Sequence, residues 1–136
     1  MNGDRRERQF HQTASAALLA LGLILAVSPA GPWITAVACL PLLAGSLTAR
    51  LSLTRACYRY FLAPLSSGPA AWEDQTPYLR ADALTGTLAL AGTVLVLGGI
   101  PPVGWGLVGV SALCLGLDAA VNTNPLRWLA GRIHPR

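Results

Sequence analysis

The chain has 136 residues, 53% of them hydrophobic and only 12% charged; its formal net charge is +4, and all ten of its lysine-or-arginine positions are arginine. Soluble domains carry about 25% charged residues, so this composition excludes an ordinary soluble domain. It also argues against a nucleic-acid partner, because the arginines flank apolar runs and show no groove-reading arrangement. Anionic lipid headgroups are the partners such a pattern fits.

Residues 14–49 contain no formal charge and are interrupted by Ser28-Pro29-Ala30-Gly31-Pro32. The run is too long for one span of about 20 residues, so it reads as two helices, 10–28 and 32–49, joined by a tight turn. The arginine-rich start and weak small-residue site at Ser28-Pro29-Ala30 resemble a targeting segment, but the second apolar run follows at once and the first helix is expected to be retained. Pro32 suits a first helical turn, and Pro41 is expected to bend the second helix. His11 reads as an interface or capping residue, with a proton-acceptor or metal-ligand role as the alternative.

The connection over 51–82 is different in character. Seven of the sixteen formal charges fall between Arg50 and Asp82. LSLTRACYRYFLAPL, with Arg55 and Arg59 four apart among Leu53, Cys57, Tyr60 and Phe61, suits a short amphipathic helix lying in the headgroup layer and ended by 66–69. Trp72 and Tyr78 are expected as interface anchors where the chain returns to the bilayer.

Two further apolar runs follow, 83–100 and 103–121, separated by the Gly98-Gly99 and Pro101-Pro102 turn. The expected architecture is therefore an all-α integral membrane protein, one domain over 1–136, with four transmembrane helices as two hairpins joined by a cytoplasmic amphipathic connection. The repeat is one of topology, with little residue identity between the halves. All ten arginines then fall on one side and both turns are uncharged, which places both termini and the connection in the cytoplasm of a bacterial inner-membrane protein. Ala112, Gly116 and Ala120, and likewise Ala81, Thr85, Ala89 and Thr93, recur at steps of four; such faces suit a helix 3 to helix 4 seam or an interface with another copy or a different membrane subunit.

Ser111, Cys114, Asp118 and Asn122 form one stripe on the last apolar helix, spaced three, four and four apart. A carboxylate in hydrocarbon is costly, which makes Asp118 the first candidate for either structural pairing or a ligand or proton role. Arg50, Arg80 and Arg127 are the candidate partners, Arg80 first because the third helix begins just after it. Glu73 and Asp74 form the sole acidic pair, expected to answer Arg80 or else to hold a cation. Cys57 lies between Arg55 and Arg59, an electropositive setting that redox and sulfur-transfer thiols use, but Cys39, Cys57 and Cys114 lack CxxC spacing, and small apolar roles suit them equally. No phosphate loop, HExxH or nucleophile elbow is present, so no catalytic, metal or cofactor site is expected.

Phe10-x-Gln12, RACYRYFLAPL at 55–65, PAAWEDQTP at 69–77 and Arg80 before an apolar span together resemble a bacterial membrane family, domain of unknown function 4395. The resemblance covers nearly the whole chain and implies four spans. It also implies a Cys-Leu-Gly-Cys-like pair ending the last helix, whereas this chain reads DAAVNTNPLR in the comparable tail, with no such pair. The family implies no activity. The expected function is an accessory or scaffold of a larger membrane assembly; the alternatives are an oligomeric ion or small-solute permeation component using the Asp118 stripe, and a membrane thiol or sulfur-redox factor using Cys57 and Cys114.

Overall fold

In the computed structural model, the described residues are 2–47, 51–65, 68–69 and 72–133. In chain order they form strand β1 (Asn2–Asp4), helices α1 (Arg5–Ile24), α2 (Ala30–Leu47) and α3 (Leu53–Cys57), strand β2 (Trp72–Asp74), and helices α4 (Thr76–Leu97), α5 (Pro101–Val121) and α6 (Pro125–Ile133). The stretch after α3 continues as a π-helical turn, Tyr58–Leu62, and a 3-10 turn, Ala63–Leu65.

Three of these helices, α2, α4 and α5, are long and apolar enough to cross a membrane, not the four expected. The difference lies in α1. It starts at Arg5 rather than near residue 10 and stops at Ile24, so its first two turns carry Arg5, Arg6, Glu7, Arg8, His11 and Gln12. Those residues leave too little apolar length for a span of about 20 residues. Asp4 caps this early start, its side chain accepting from the Arg6 amide at 3.0 Å.

The two-hairpin arrangement is also not what forms. The four long helices pack as a ring, α1 against α2 and α5, and α4 against α2 and α5, so contacts between the supposed hairpins are as extensive as those within them. The connection is not a separate amphipathic layer either. β2 pairs antiparallel with β1, Gly3 opposite Glu73, and α3 packs against α1. α4 begins at Thr76, seven residues before the expected start, which brings Arg80 and Asp82 into the helix. Pro41 lies inside α2, which runs on through it. Arg50, Arg136 and the last two residues expected of the second helix, 48 and 49, lie outside the described residues, as does Ser66.

The apolar core sits midway along the ring, with Leu19, Ala38, Cys39, Leu42, Ala89, Val108 and Leu115 buried together. Away from the arginines the helices meet through glycine. A Cβ on Gly104 would lie 2.5 Å from the Gly92 carbonyl oxygen, and one on Gly31 2.5 Å from the Leu25 carbonyl oxygen, so only hydrogen fits at either approach. The face Ala81, Thr85, Ala89 and Thr93 is buried in the ring, but Ala112, Gly116 and Ala120 do not form the seam with α4. They border α1 across an open groove.

Candidate functional site

The arginine end of the ring is built around buried polar side chains that composition alone does not reveal. On α1, Arg8, His11, Gln12, Ser15, Leu19 and Gly22 recur at steps of three and four and are all buried, so one continuous helical face turns inward, polar for two turns and then apolar. Arg8, with no exposed surface, donates through Nε to Glu73 Oε1 and through Nη1 to Gln12 Oε1 at 2.8 Å, and its guanidinium lies 3.9 Å from the Tyr78 ring centroid. Gln12 Nε2 then donates to Asp118 Oδ2 at 2.7 Å.

Asp118 is thus held from four directions. Besides Gln12, Asn124 Nδ2 donates to Oδ2 at 3.3 Å, while Arg127 Nη1 lies 3.4 Å and Arg8 Nη1 3.9 Å from Oδ1. Arg80, the first-choice partner, is exposed and is not among these groups. α5 ends just beyond: Asn122 adopts φ 55°, a left-handed conformation that asparagine tolerates, and its carbonyl oxygen accepts from Arg127 Nη2 at 2.8 Å.

A second centre forms around Asp82. Its Oδ2 lies 3.4 Å from Arg55 Nη2 and 3.2 Å from His11 Nε2, the latter outside hydrogen-bonding angles, so that contact acts as an ion pair only when the ring is protonated. Arg55 Nη1 donates to Gln75 Oε1 at 2.9 Å, and Gln75 Nε2 reaches Glu73 Oε1 at 3.4 Å. Glu73 therefore joins the two centres. Across both, Arg8, Arg55 and Arg127 answer Glu73, Asp82 and Asp118, three cations to three carboxylates, and the mutual neutralisation is what makes burial tolerable. Arg8 Nη2, Arg55 Nε and Asp82 Oδ1 have no hydrogen-bond partner among the described residues, each on a side chain whose other atoms are engaged.

His11 Nδ1 contacts the Thr54 hydroxyl and, at 3.2 Å, that of Ser52. Carboxylate, imidazole and hydroxyl thus stand in the order used for nucleophile activation. Ser52 is fully buried, and these contacts tie the start of α3 to α1.

The remaining expected positions are distributed differently. Ser111 is buried but donates to its own helix at Leu107 O, 2.9 Å; Cys114 is buried, Cys57 is exposed, and all three cysteines are free. Asn122 accepts from Tyr78 Oη at 3.4 Å. Tyr78 is itself buried under the Arg8 and Arg127 guanidiniums rather than serving as an exposed anchor, while Trp72 is exposed. The acidic pair divides: Glu73 turns to Arg8 instead of Arg80, and Asp74 Oδ1 accepts from Thr76 N at 3.0 Å and Thr76 Oγ1 at 2.8 Å. Those two bonds hold the Asp74 carboxyl below the ordinary range and fasten the start of α4. Sequence reasoning missed Arg8, Gln12, Arg55, Gln75, Asp82 and Asn124. The inward spacing of residues 8, 11, 12 and 15 was the available signal.

Among the described residues, open cavities lie outside this network. A groove of about 850 Å³ runs between α1 and α5, lined by Ala16, Ala20, Gly109, Ala112, Gly116 and Ala120 among others. A pocket of about 450 Å³ opens where α6 meets α4. No group of three or more metal-ligating side chains with suitable placement occurs among the described residues.

Three apolar helices closed by a charge-balanced polar end define a multi-span integral membrane protein. The model of the domain of unknown function family DUF4395 matches residues 4–123, nearly the whole chain, and the protein belongs to that family. No match emerged among curated proteins or among solved structures.

Proposed function

We propose that the protein is a small accessory or scaffold subunit of a larger assembly in the bacterial inner membrane, with its arginine-bearing end towards the cytoplasm. The observation that carries this reading is the α1–α5 groove. Gly92 and Gly104 are filled by each other's backbone, whereas a Cβ on Gly116 would meet no described atom within 4 Å. α5 thus has one small-residue face closed within the chain and a second left open, the kind of surface on which another transmembrane helix packs by dispersion. Support for a solute path is weaker: Ser111 bonds its own helix and Asp118 is held by four neighbours.

Purification from native membranes in mild detergent tests the reading. Wild type should elute with a stoichiometric membrane partner, and Gly116→Leu should elute without it while keeping the same thermal stability. A homo-oligomer that conducts solute in liposomes would replace the scaffold reading with the permeation one. Orientation rests on the positive-inside tendency; a cysteine placed at Gly99, in the uncharged α4–α5 turn, should be labelled from outside the cell and one at Gly68 should not.

A further inference from the structure

The pocket between α4 and α6 is lined by Pro77, Tyr78, Thr123, Asn124, Arg127 and Trp128. It lies within about a turn of the first residue of α4, Thr76, and the last of α5, Val121, where two of the apolar helices end. That is the depth at which hydrocarbon gives way to headgroups. Among the described residues its lining holds one cation and no acid, and the carboxylate beside Arg127, Asp118, is already engaged by Gln12 and Asn124. Three of Arg127's five N–H groups are taken, by Asp118 Oδ1, Asn122 Oδ1 and Asn122 O, which leaves the Nε hydrogen and one on Nη2 for an anion. A second cation is held at the rim by the pocket's own indole, the Arg132 guanidinium lying 4.1 Å from the Trp128 ring centroid.

The apolar side of α6 completes the picture. Leu126, Leu129 and Ile133 share one face. Leu126 is buried against the bundle, but Leu129 and Ile133 are 43% and 55% exposed, so the face continues past the protein that covers its beginning. A short helix with this division, arginines above and leucine and isoleucine below, fits the boundary between headgroups and acyl chains.

We propose that this pocket binds the phosphate-bearing headgroup of an anionic phospholipid, Arg127 and Arg132 meeting the phosphate while Leu129 and Ile133 lie against the acyl chains. The lipid seats α6 in the membrane surface and extends the polar end of the bundle into the headgroup layer. An arginine near an anionic membrane surface contributes about a five-fold change in affinity.

The test is native mass spectrometry of the full chain in mild detergent, titrated with phosphatidylglycerol and, separately, phosphatidylcholine. Wild type should retain one phosphatidylglycerol per chain in preference to phosphatidylcholine. Arg132→Gln should weaken that retention about five-fold, and Trp128→Ala with Arg132→Gln further still. These two positions lie outside the Asp118 network, so the double variant should melt with the wild type and its loss of lipid be read on folded protein; Arg127→Gln should abolish retention. Equal retention of the two lipids, or unchanged retention in the folded double variant, would overturn the proposal. So would displacement of the lipid by millimolar inorganic phosphate, which would make the pocket a site for the free ion.

Discussion

The two ends of the helical ring are held by opposite means. At the arginine end, Arg8, Arg55 and Arg127 reach across elements to Glu73, Asp82 and Asp118, and long side chains keep backbones apart while binding them together. At the other end, Gly22 lies against Thr35 and Gly31, Gly92 against Gly104, and the Thr35 and Thr93 hydroxyls meet at 2.9 Å. Each hydroxyl also donates within its own helix, Thr35 to Pro32 O and Thr93 to Ala89 O, at the times it is not donating to the other. At the arginine end the chain uses full charges; at the uncharged end it uses close backbone approach and hydroxyls that satisfy themselves locally. Damage at either end should therefore look different.

The largest effect is expected at the glycine end. On Gly104 the atoms nearest an added Cβ include backbone Gly92 O at 2.5 Å and Val96 N at 2.8 Å, so even Gly104→Ala must separate α4 from α5. A loss above about 3 kcal/mol, seen as little monodisperse protein in detergent, is expected. Gly116→Ala, facing the open groove, should stay within about 0.5 kcal/mol of wild type. Equal stability of the two variants would erase the distinction between a filled and an open face.

Asp118→Asn comes next. The amide keeps a hydrogen-bonding oxygen for Gln12 but leaves Arg127 without its counter-charge and Arg8 with Glu73 alone, and about 3 kcal/mol should be lost on thermal or denaturant unfolding. Thr35→Val, by contrast, removes one hydroxyl contact whose partner can still bond its own helix, and should cost about 0.6 kcal/mol. A Thr35 effect as large as that of Asp118 would mean that the glycine end also depends on polar contacts.

The smallest effect concerns pH. Burial raises the Glu7 carboxyl above its ordinary value, and Arg59, 3.4 Å away, only partly offsets this. A raised carboxyl binds protons more readily in the folded chain, so its contribution is fully present below the ordinary range, about 4.3, and is lost as pH rises through the folded value. Glu7→Gln keeps a neutral side chain throughout. The variant should therefore gain on wild type as pH rises across that window, and parallel pH profiles would count against a half-buried, raised Glu7.

How much of this was legible depended on whether a residue's type announced its place. Uncharged runs bounded by proline and glycine reveal α2, α4 and α5, because hydrocarbon tolerates little else. Three-and-four spacing puts Ser111, Cys114 and Asp118 on one face of α5, and all three are buried, whereas Asn122 at the end of that stripe is exposed. The same spacing on α1 is harder to recognise, because Arg8, His11 and Gln12 are residue types that suit headgroups or water, and setting them there leaves an apparent span beginning after them. Their partners lie 41 to 106 positions away, in Ser52, Thr54, Glu73 and Asp118, and no local pattern encodes such pairings. α6 was hidden for a related reason: PLRWLAGRI is too short to register as a span, and its two arginines read as topology markers rather than as one side of a helix.

Ion pairs with at least one buried partner, Arg8 to Glu73 being the link between α1 and the connection, hold the arginine end together. A double-mutant cycle with Arg8→Met and Glu73→Gln, measured as unfolding free energy of the purified full chain in one detergent, tests this most directly. The double variant should lose at least about 1 kcal/mol less than the sum of the single losses, the coupling expected of residues in contact. Losses that add to within about 0.5 kcal/mol would contradict it.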